Sequence, residues 1–257
     1  MRFLLKAMIM ILGMTVIAYG VSFDERQQSS AAVQSMTVAE LEKAADACRE
    51  QKDYAQAIKY FDAALRKDNK NARLYNKRGL AELSSGQYGD ARVDFAQATK
   101  YDHNYAQAWN DLGVVNFVDK KYGAAVKYFQ KAIALDDTHA SFHVNLGITY
   151  FSQNNMDAAM KEYTRALQLD PEALMHSTNT GLSAQITSRE ERAKQDFMLA
   201  RVFAKLGNAD SCFVCLEKAK EDGYAELGRV YKDQEFAQVR QDARMASIVP
   251  PPAPIVK

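Results

Sequence analysis

The chain has 257 residues, of which 47% are hydrophobic and 25% are charged. These ordinary globular values argue against a wholly disordered chain and against a multi-span membrane protein. Lys and Arg number 33 and Asp and Glu number 32, so the formal charge of +1 gives no global basic field for nucleic acid. With only 5 prolines and 12 glycines, the composition favours helix over a β-sandwich or barrel.

Residues 1–21 differ in composition from the rest of the chain. Two basic residues precede an uncharged run at 7–21, which is shorter than the ~20 residues that a membrane-spanning helix needs. The run is typical of a secretory signal peptide, and small residues allow cleavage after Gly20. We therefore expect an exported protein of the periplasm or cell envelope, followed at 21–36 by a polar tether. The alternative is an uncleaved anchor at residues 3–23, which would be the only part of the chain in contact with the membrane.

Four columns of residues recur at an interval of 34. They are Gly79, Gly113 and Gly147; Ala57, Ala91, Ala125 and Ala159; Ala64, Ala98, Ala132 and Ala166; and Phe61, Phe95, Phe129 and Tyr163. They define units at 38–71, 72–105, 106–139 and 140–173. Each unit holds two helical stripes separated by a short polar break, which predicts a pair of antiparallel helices. We expect the glycines and the first alanines where the two helices approach most closely, with the aromatic ring filling the adjoining gap.

These columns resemble the tetratricopeptide repeat family. The resemblance is close in AWNDLGVVNF (108–117) with YGAAVKYFQKAIALD (122–136), and in HVNLGITYF (143–151) with MDAAMKEYTRALQLDP (156–171). It implies an all-α, right-handed superhelical solenoid in which the first helix of each pair lines a concave surface. Repeat one departs from the pattern, because Ala45 replaces the glycine and Cys48 stands where an aromatic residue is usual.

The period lapses after residue 173. We expect a loop and a helix restart at 174–192, a degenerate fifth repeat at 193–226 and a helical cap at 227–248. A capping box at Ser188 predicts the restart, as one at Thr37 predicts the start of the first helix. The cap is needed because the last repeat would otherwise expose its stacking face, and an extended Pro-rich tail follows at 249–257.

The scattered ionisable residues do not predict an enzyme, a cofactor or a metal site. His139 and His143 lie four residues apart and would supply two ligands at most, whereas structural metal sites usually need four. Cys212 and Cys215 form a C-x-x-C pair, which leaves a redox-active factor as the alternative to a binding scaffold. We favour a non-catalytic scaffold of the cell envelope with protein or peptide partners, and a permanent subunit of an envelope assembly is a further alternative.

The resemblance places further columns of the first helices in a peptide-binding groove. The expected groove residues are Arg73, Asn76, Leu80, Leu83, Gln107, Asn110, Val114, Phe117, Asn145, Ile148 and Phe151. Their amides would bond the main chain of a peptide or helix, and their apolar side chains would cover its apolar residues. The alternative is that the apolar columns pack neighbouring repeats together. Glu42 and Asp46 would repel a carboxylate, so we expect no capture of acidic peptide C-termini.

Overall fold

The computed structural model describes residues 33–174 and 188–252, and the regular structure of these residues is helical. The predicted signal peptide or anchor lies outside the described residues, as do most of the expected tether, residues 175–187 of the segment where a loop is expected and residues 253–257 of the expected tail. The all-α class expected from the sequence is confirmed. No helix in the described ranges combines the length and the apolar character that crossing a bilayer requires.

Eight of the helices form four consecutive pairs. They are α1 (Val38–Glu50) with α2 (Tyr54–Lys67), α3 (Ala72–Ser84) with α4 (Tyr88–Tyr101), α5 (Ala106–Val118) with α6 (Tyr122–Leu135), and α7 (Ala140–Ser152) with α8 (Met156–Leu169). A fifth pair follows, α9 (Arg189–Lys205) with α10 (Ala209–Glu221). The chain then forms 3₁₀ turns at Leu227–Tyr231 and Gln234–Phe236 and a short helix, α11 (Ala243–Ile248).

The chain divides into two compact units, residues 1–101 and 102–257. In the first unit, α2 packs against both its partner α1 and the next first helix, α3. In the second unit, α6 packs in the same way between α5 and α7, and α8 packs against α9. Each unit is therefore built by consecutive stacking of helix pairs, which is the packing of an α-solenoid.

The glycine column lies where the two helices of a pair approach most closely, as expected. A Cβ atom placed on Gly79 would lie 2.7 Å from the Phe95 ring, and one on Gly113 would lie 2.6 Å from the Phe129 ring. The aromatic rings are fully buried, so there is no free space into which they could withdraw. In the first pair, the helices instead accommodate the methyl group of Ala45, which is also fully buried.

A fifth column, which the sequence patterns did not reveal, ends the first helix of each of the first four pairs. Lys52, Gly86, Lys120 and Asn154 recur at the interval of 34 and have φ values of 61°, 82°, 59° and 60°. The next amide reaches back to the helix, for example from Lys121 N to the Asn116 carbonyl at 2.8 Å. The residue with positive φ and the hydrogen bond from the amide that follows it together form a Schellman motif. This motif ends the first helix and directs the chain into the second helix.

The cap closes the second unit over the fifth pair. Phe236 and Val239 are buried in a cluster that includes Leu216 of α10, so the cap covers the fifth pair. Arg240 of the cap is half-buried, and its Nε donates to the Val230 carbonyl at 2.8 Å. The guanidinium thereby bonds a carbonyl of the 3₁₀ turn that the cap backbone does not satisfy.

Replacing Gly113 with alanine should lower the free energy of unfolding by ~1–3 kcal/mol, because the new methyl group would overlap the Phe129 ring. Gly123→Ala is the matched control. Nothing lies within 4 Å of a Cβ atom at Gly123, so helix propensity alone should leave that variant neutral or up to ~1 kcal/mol more stable. Urea denaturation measures both, and equal midpoints for the two variants would contradict the close crossing.

Candidate functional site

The first helices of the first unit share a face that carries charged and apolar side chains. We define this α1–α3 face by Glu42, Asp46, Arg73, Lys77, Leu80 and Leu83. Arg73 Nη2 lies 2.7 Å from Glu42 Oε2, and Lys77 Nζ lies 2.7 Å from Glu42 Oε1 and 2.5 Å from Asp46 Oδ2. Burial opposes the charge of Lys77, but its hydrogen bonds to Asp46 and Glu42 raise its pKa. The two carboxylates are therefore already engaged by cations of the next repeat.

Three of the expected groove residues on α3 are accessible from outside. The Arg73 side chain is 63% exposed, and Leu80 and Leu83 are half-buried. Their spacing along the helix, seven and then three residues, places them in one stripe. Asn76, in contrast, is buried with only 1% of its surface exposed. The accessible part of the α1–α3 face thus combines one cation with two leucines.

The expected groove amides of the second unit form a hydrogen-bonded chain. Asn145 Nδ2 donates to Asn110 Oδ1 at 2.9 Å, which joins α7 to α5. Asn110 Nδ2 and Gln107 Nε2 both donate to Asp111 Oδ1, at 3.1 and 2.8 Å. Asn110 and Asn145 are 4% and 2% exposed, so these two amides bond to each other inside the protein. Gln107, at the end of the chain, is half-buried.

The apolar groove columns of the second unit are also covered. Val114 is 8% exposed, Phe117 2%, Ile148 1% and Phe151 7%. Burial gives these four side chains a packing role within the unit. A binding role for them stays a prediction, because no ligand contact is described.

Arg78 of α3 links the second helices of the first two pairs. Its Nε and Nη2 donate to the two oxygens of Asp94 at 2.6 and 2.7 Å, and its Nη1 donates to Asp62 at 2.6 Å. These hydrogen bonds, above all those to Asp94, raise the pKa of Arg78. Glu82 lies one turn further along α3 and is almost fully buried. Burial, together with the negative charge of Asp94, raises the pKa of Glu82 to about 8.

The C-x-x-C pair does not have the environment of a redox site. Cys212 and Cys215 are free thiols in the core of the fifth pair, with 0% and 8% of their surfaces exposed. Burial raises the pKa of each thiol to about 12, which disfavours the thiolate that disulfide exchange requires. In the described part of the chain, no three or more potential ligands converge as a metal site would need.

The ion pairs of the α1–α3 face were missed by the sequence analysis. They join residues that are 31 or 35 positions apart. These separations differ from the repeat length of 34 by less than one helical turn. A search for opposite charges near the repeat length would have found Lys77 opposite Glu42 and Asp46. A similar search for amide pairs would have found the contact between Asn110 and Asn145, which are 35 positions apart.

Family models described as tetratricopeptide repeat match residues 41–72 and 76–140, and residues 119–180. A crystal structure of MamA protein is 21% identical, with a TM-score of 0.52 over 76% of this chain and 95% of that chain. A second MamA structure is 23% identical, with a TM-score of 0.50 over 69% and 93%. YrrB, described as a TPR protein with an unusual peptide-binding site, is 17% identical, with a TM-score of 0.49 over 73% and 87%. Among curated proteins, none matches this chain.

Stability should depend on the protonation of Glu82. In the unfolded chain the Glu82 carboxyl has its usual pKa of 4.5, whereas in the folded chain its pKa is about 8. Between these two pH values the folded chain binds a proton that the unfolded chain has lost, so the free energy of unfolding falls as pH rises from 4.5 to about 8. Glu82→Gln removes this cost and should stabilise the protein by about 2 kcal/mol at pH 8 and much less at pH 5. Thermal unfolding at both pH values tests this, with Glu50→Gln on the exposed side of α1 as the control. A stability difference that stays flat with pH would refute this origin.

Proposed function

Because the chain belongs to the tetratricopeptide repeat family, we propose that it is a non-catalytic scaffold for protein–protein interaction. Repeats of this family are generally interaction modules that carry no chemistry of their own. The observation that carries the proposal is the accessible stripe of α3, where Arg73 is exposed and Leu80 and Leu83 are half-buried. The buried, protonated thiols of Cys212 and Cys215 favour this function over a redox one.

The chemistry of the stripe suits an extended peptide or one face of a helix. Leu80 and Leu83 offer apolar area to an apolar side chain of the partner, and the exposed guanidinium of Arg73 offers donors for its polar edge. Arg73 already balances the charge of Glu42 at 2.7 Å, so the face has no surplus positive charge for a terminal carboxylate. The partner is therefore expected to contribute apolar residues rather than an acidic C-terminus.

Truncation of the stripe should weaken partner capture. In pull-downs from the envelope fraction with the full chain as bait, Arg73→Ala with Leu83→Ala should reduce partner recovery about tenfold, the effect of losing ~1.4 kcal/mol. The matched control is Lys100→Ala with Val93→Ala on α4, which removes one exposed cation and one exposed apolar side chain from the opposite helix of the pair.

Thermal unfolding must accompany the comparison, because a destabilised bait also loses partners. Equal recovery by the two double variants would contradict binding at the α1–α3 face. Recovery that withstands high salt and dilution would identify the partner as a permanent subunit of an assembly rather than a transient ligand.

We also propose that the scaffold acts in the cell envelope, on the strength of the signal-like residues 1–21. The native protein should then begin near Val21, which N-terminal sequencing of the material from fractionated cells would detect. An intact Met1 in the membrane fraction would replace cleavage with an anchor, and an intact chain in the cytoplasmic fraction would contradict export.

A further inference from the structure

The second helices of the first unit carry an outward face that is separate from the α1–α3 face. Helices α2 and α4 are offset by 34 residues, so residues with that separation hold equivalent positions. Lys59 corresponds in this way to Val93, and Arg66 corresponds to Lys100. On each helix the two residues are seven positions apart, which is close to two turns, so they lie on the same side. We define the α2–α4 face by Lys59, Arg66, Val93 and Lys100.

The three cations of the α2–α4 face are exposed. Among the described residues, no carboxylate lies at ion-pair distance from Lys59, Arg66 or Lys100. Lys100 Nζ lies 5.8 Å from the centre of the Tyr101 ring, a cation–π contact that leaves its charge in place. All three charges are therefore available to an anionic ligand.

The second helices also hold the positive charge of the first unit. Taken with their flanking residues, at 52–70 and 88–101, α2 and α4 contain seven Lys and Arg and five Asp. Arg78 of α3 binds two of the five, Asp62 and Asp94, and adds its own charge, so the surplus is three positive charges. Without Arg78, the first helices α1 and α3 contain four Lys and Arg against five Asp and Glu. The positive excess of the unit therefore lies on its second helices.

Exposed apolar side chains accompany these cations. Five large apolar side chains are exposed in the described ranges, and three of them lie on α4: Val93 at 59%, Tyr88 at 42% and Tyr101 at 37%. An exposed aliphatic side chain gains free energy when it leaves water. Tyrosine, with its apolar ring and polar tip, is favoured at the boundary between water and hydrocarbon. The α2–α4 face thus combines unpaired cations with side chains suited to such a boundary.

We propose that the α2–α4 face binds the surface of an anionic lipid bilayer. Lys59, Arg66 and Lys100 pair with lipid phosphates, and Val93 enters the boundary between the headgroups and the acyl chains. Each basic residue near an anionic bilayer strengthens binding roughly fivefold. The contact is peripheral, since it uses side chains on the outside of two packed helices.

The exposed valine favours a lipid surface over other polyanions. A nucleic acid or an acidic peptide could pair with the three cations, but neither offers a hydrocarbon layer to Val93 on the same face. A bilayer supplies phosphates and hydrocarbon side by side. The proposal requires neither a protein partner at the α1–α3 face nor an anchor at residues 1–21, so it stands or falls independently of both.

Sedimentation of the full chain with lipid vesicles tests the proposal. Vesicles of phosphatidylglycerol mixed with phosphatidylcholine should bind more protein than pure phosphatidylcholine does, and high salt should remove the excess by screening the exposed charges. Attachment through residues 1–21 would not need anionic lipid and would appear as the phosphatidylcholine baseline. Equal binding to the two kinds of vesicle would overturn the proposal.

Matched double variants locate the contact. Val93→Ala with Lys100→Ala should weaken the phosphatidylglycerol-dependent binding at least tenfold. Val214→Ala with Lys218→Ala, which removes an exposed valine and an exposed lysine from α10, should leave it within twofold. Equal weakening by the two pairs would overturn the assignment, because it would show attraction without a defined face. Since the first pair leaves the α1–α3 face intact, it should keep the protein partner while it loses the vesicles.

A third variant separates the lipid surface from other polyanions. Lys59→Gln with Arg66→Gln removes two charges from α2 and leaves the valine in place, and it should also weaken vesicle binding at least tenfold. Fluorescein-labelled hexaglutamate and a labelled oligonucleotide should bind the unmodified chain at least tenfold more weakly than the vesicles do. Binding of either one that depends on these two residues, without binding of vesicles, would overturn the lipid assignment.

Discussion

The architecture depends on the contact between a glycine of the first helix and an aromatic ring of the second helix. At Gly113 the nearest ring atom of Phe129 lies closer to the missing Cβ position than any real Cβ atom would tolerate. In the three pairs that contain the glycine, this contact fixes the distance and the crossing of the two helices, so each of these pairs packs as one block. Consecutive blocks in each unit can then meet through the same helices, second against next first.

Polar contacts between blocks differ from one position to the next, although the crossing is repeated. Arg78 joins two aspartates in the first unit, whereas Asn110 and Asn145 join two amides in the second. An apolar interface alone would tolerate slippage by a turn, while a buried amide pair loses its partner when the register shifts. The polar contacts therefore specify the alignment of neighbouring blocks, and the apolar columns supply most of the stabilisation.

The sequence predicted the helix pairs and the glycine crossings because both follow from residue size and spacing along one chain. It also predicted a helical cap after the fifth pair, because the last repeat of an array needs one. The burial of Asn110 and Asn145 could not be predicted in this way, because a column shows which residues share a face but not what covers that face. His143 illustrates the same difficulty. The sequence showed it only as one of two possible metal ligands, whereas its contact with Glu162 and a cleft beside it arise from three helices together.

The cap has a consequence for assembly between molecules. A solenoid with a bare last helix pair offers the same apolar surface that its own repeats use, so copies can add end to end into a fibre. Here that surface of α10 is occupied by Phe236, Val239 and the short α11. A second copy could bind to this surface only after the cap had dissociated from the core of the fifth pair. The cap therefore blocks end-to-end association of copies through this surface of α10.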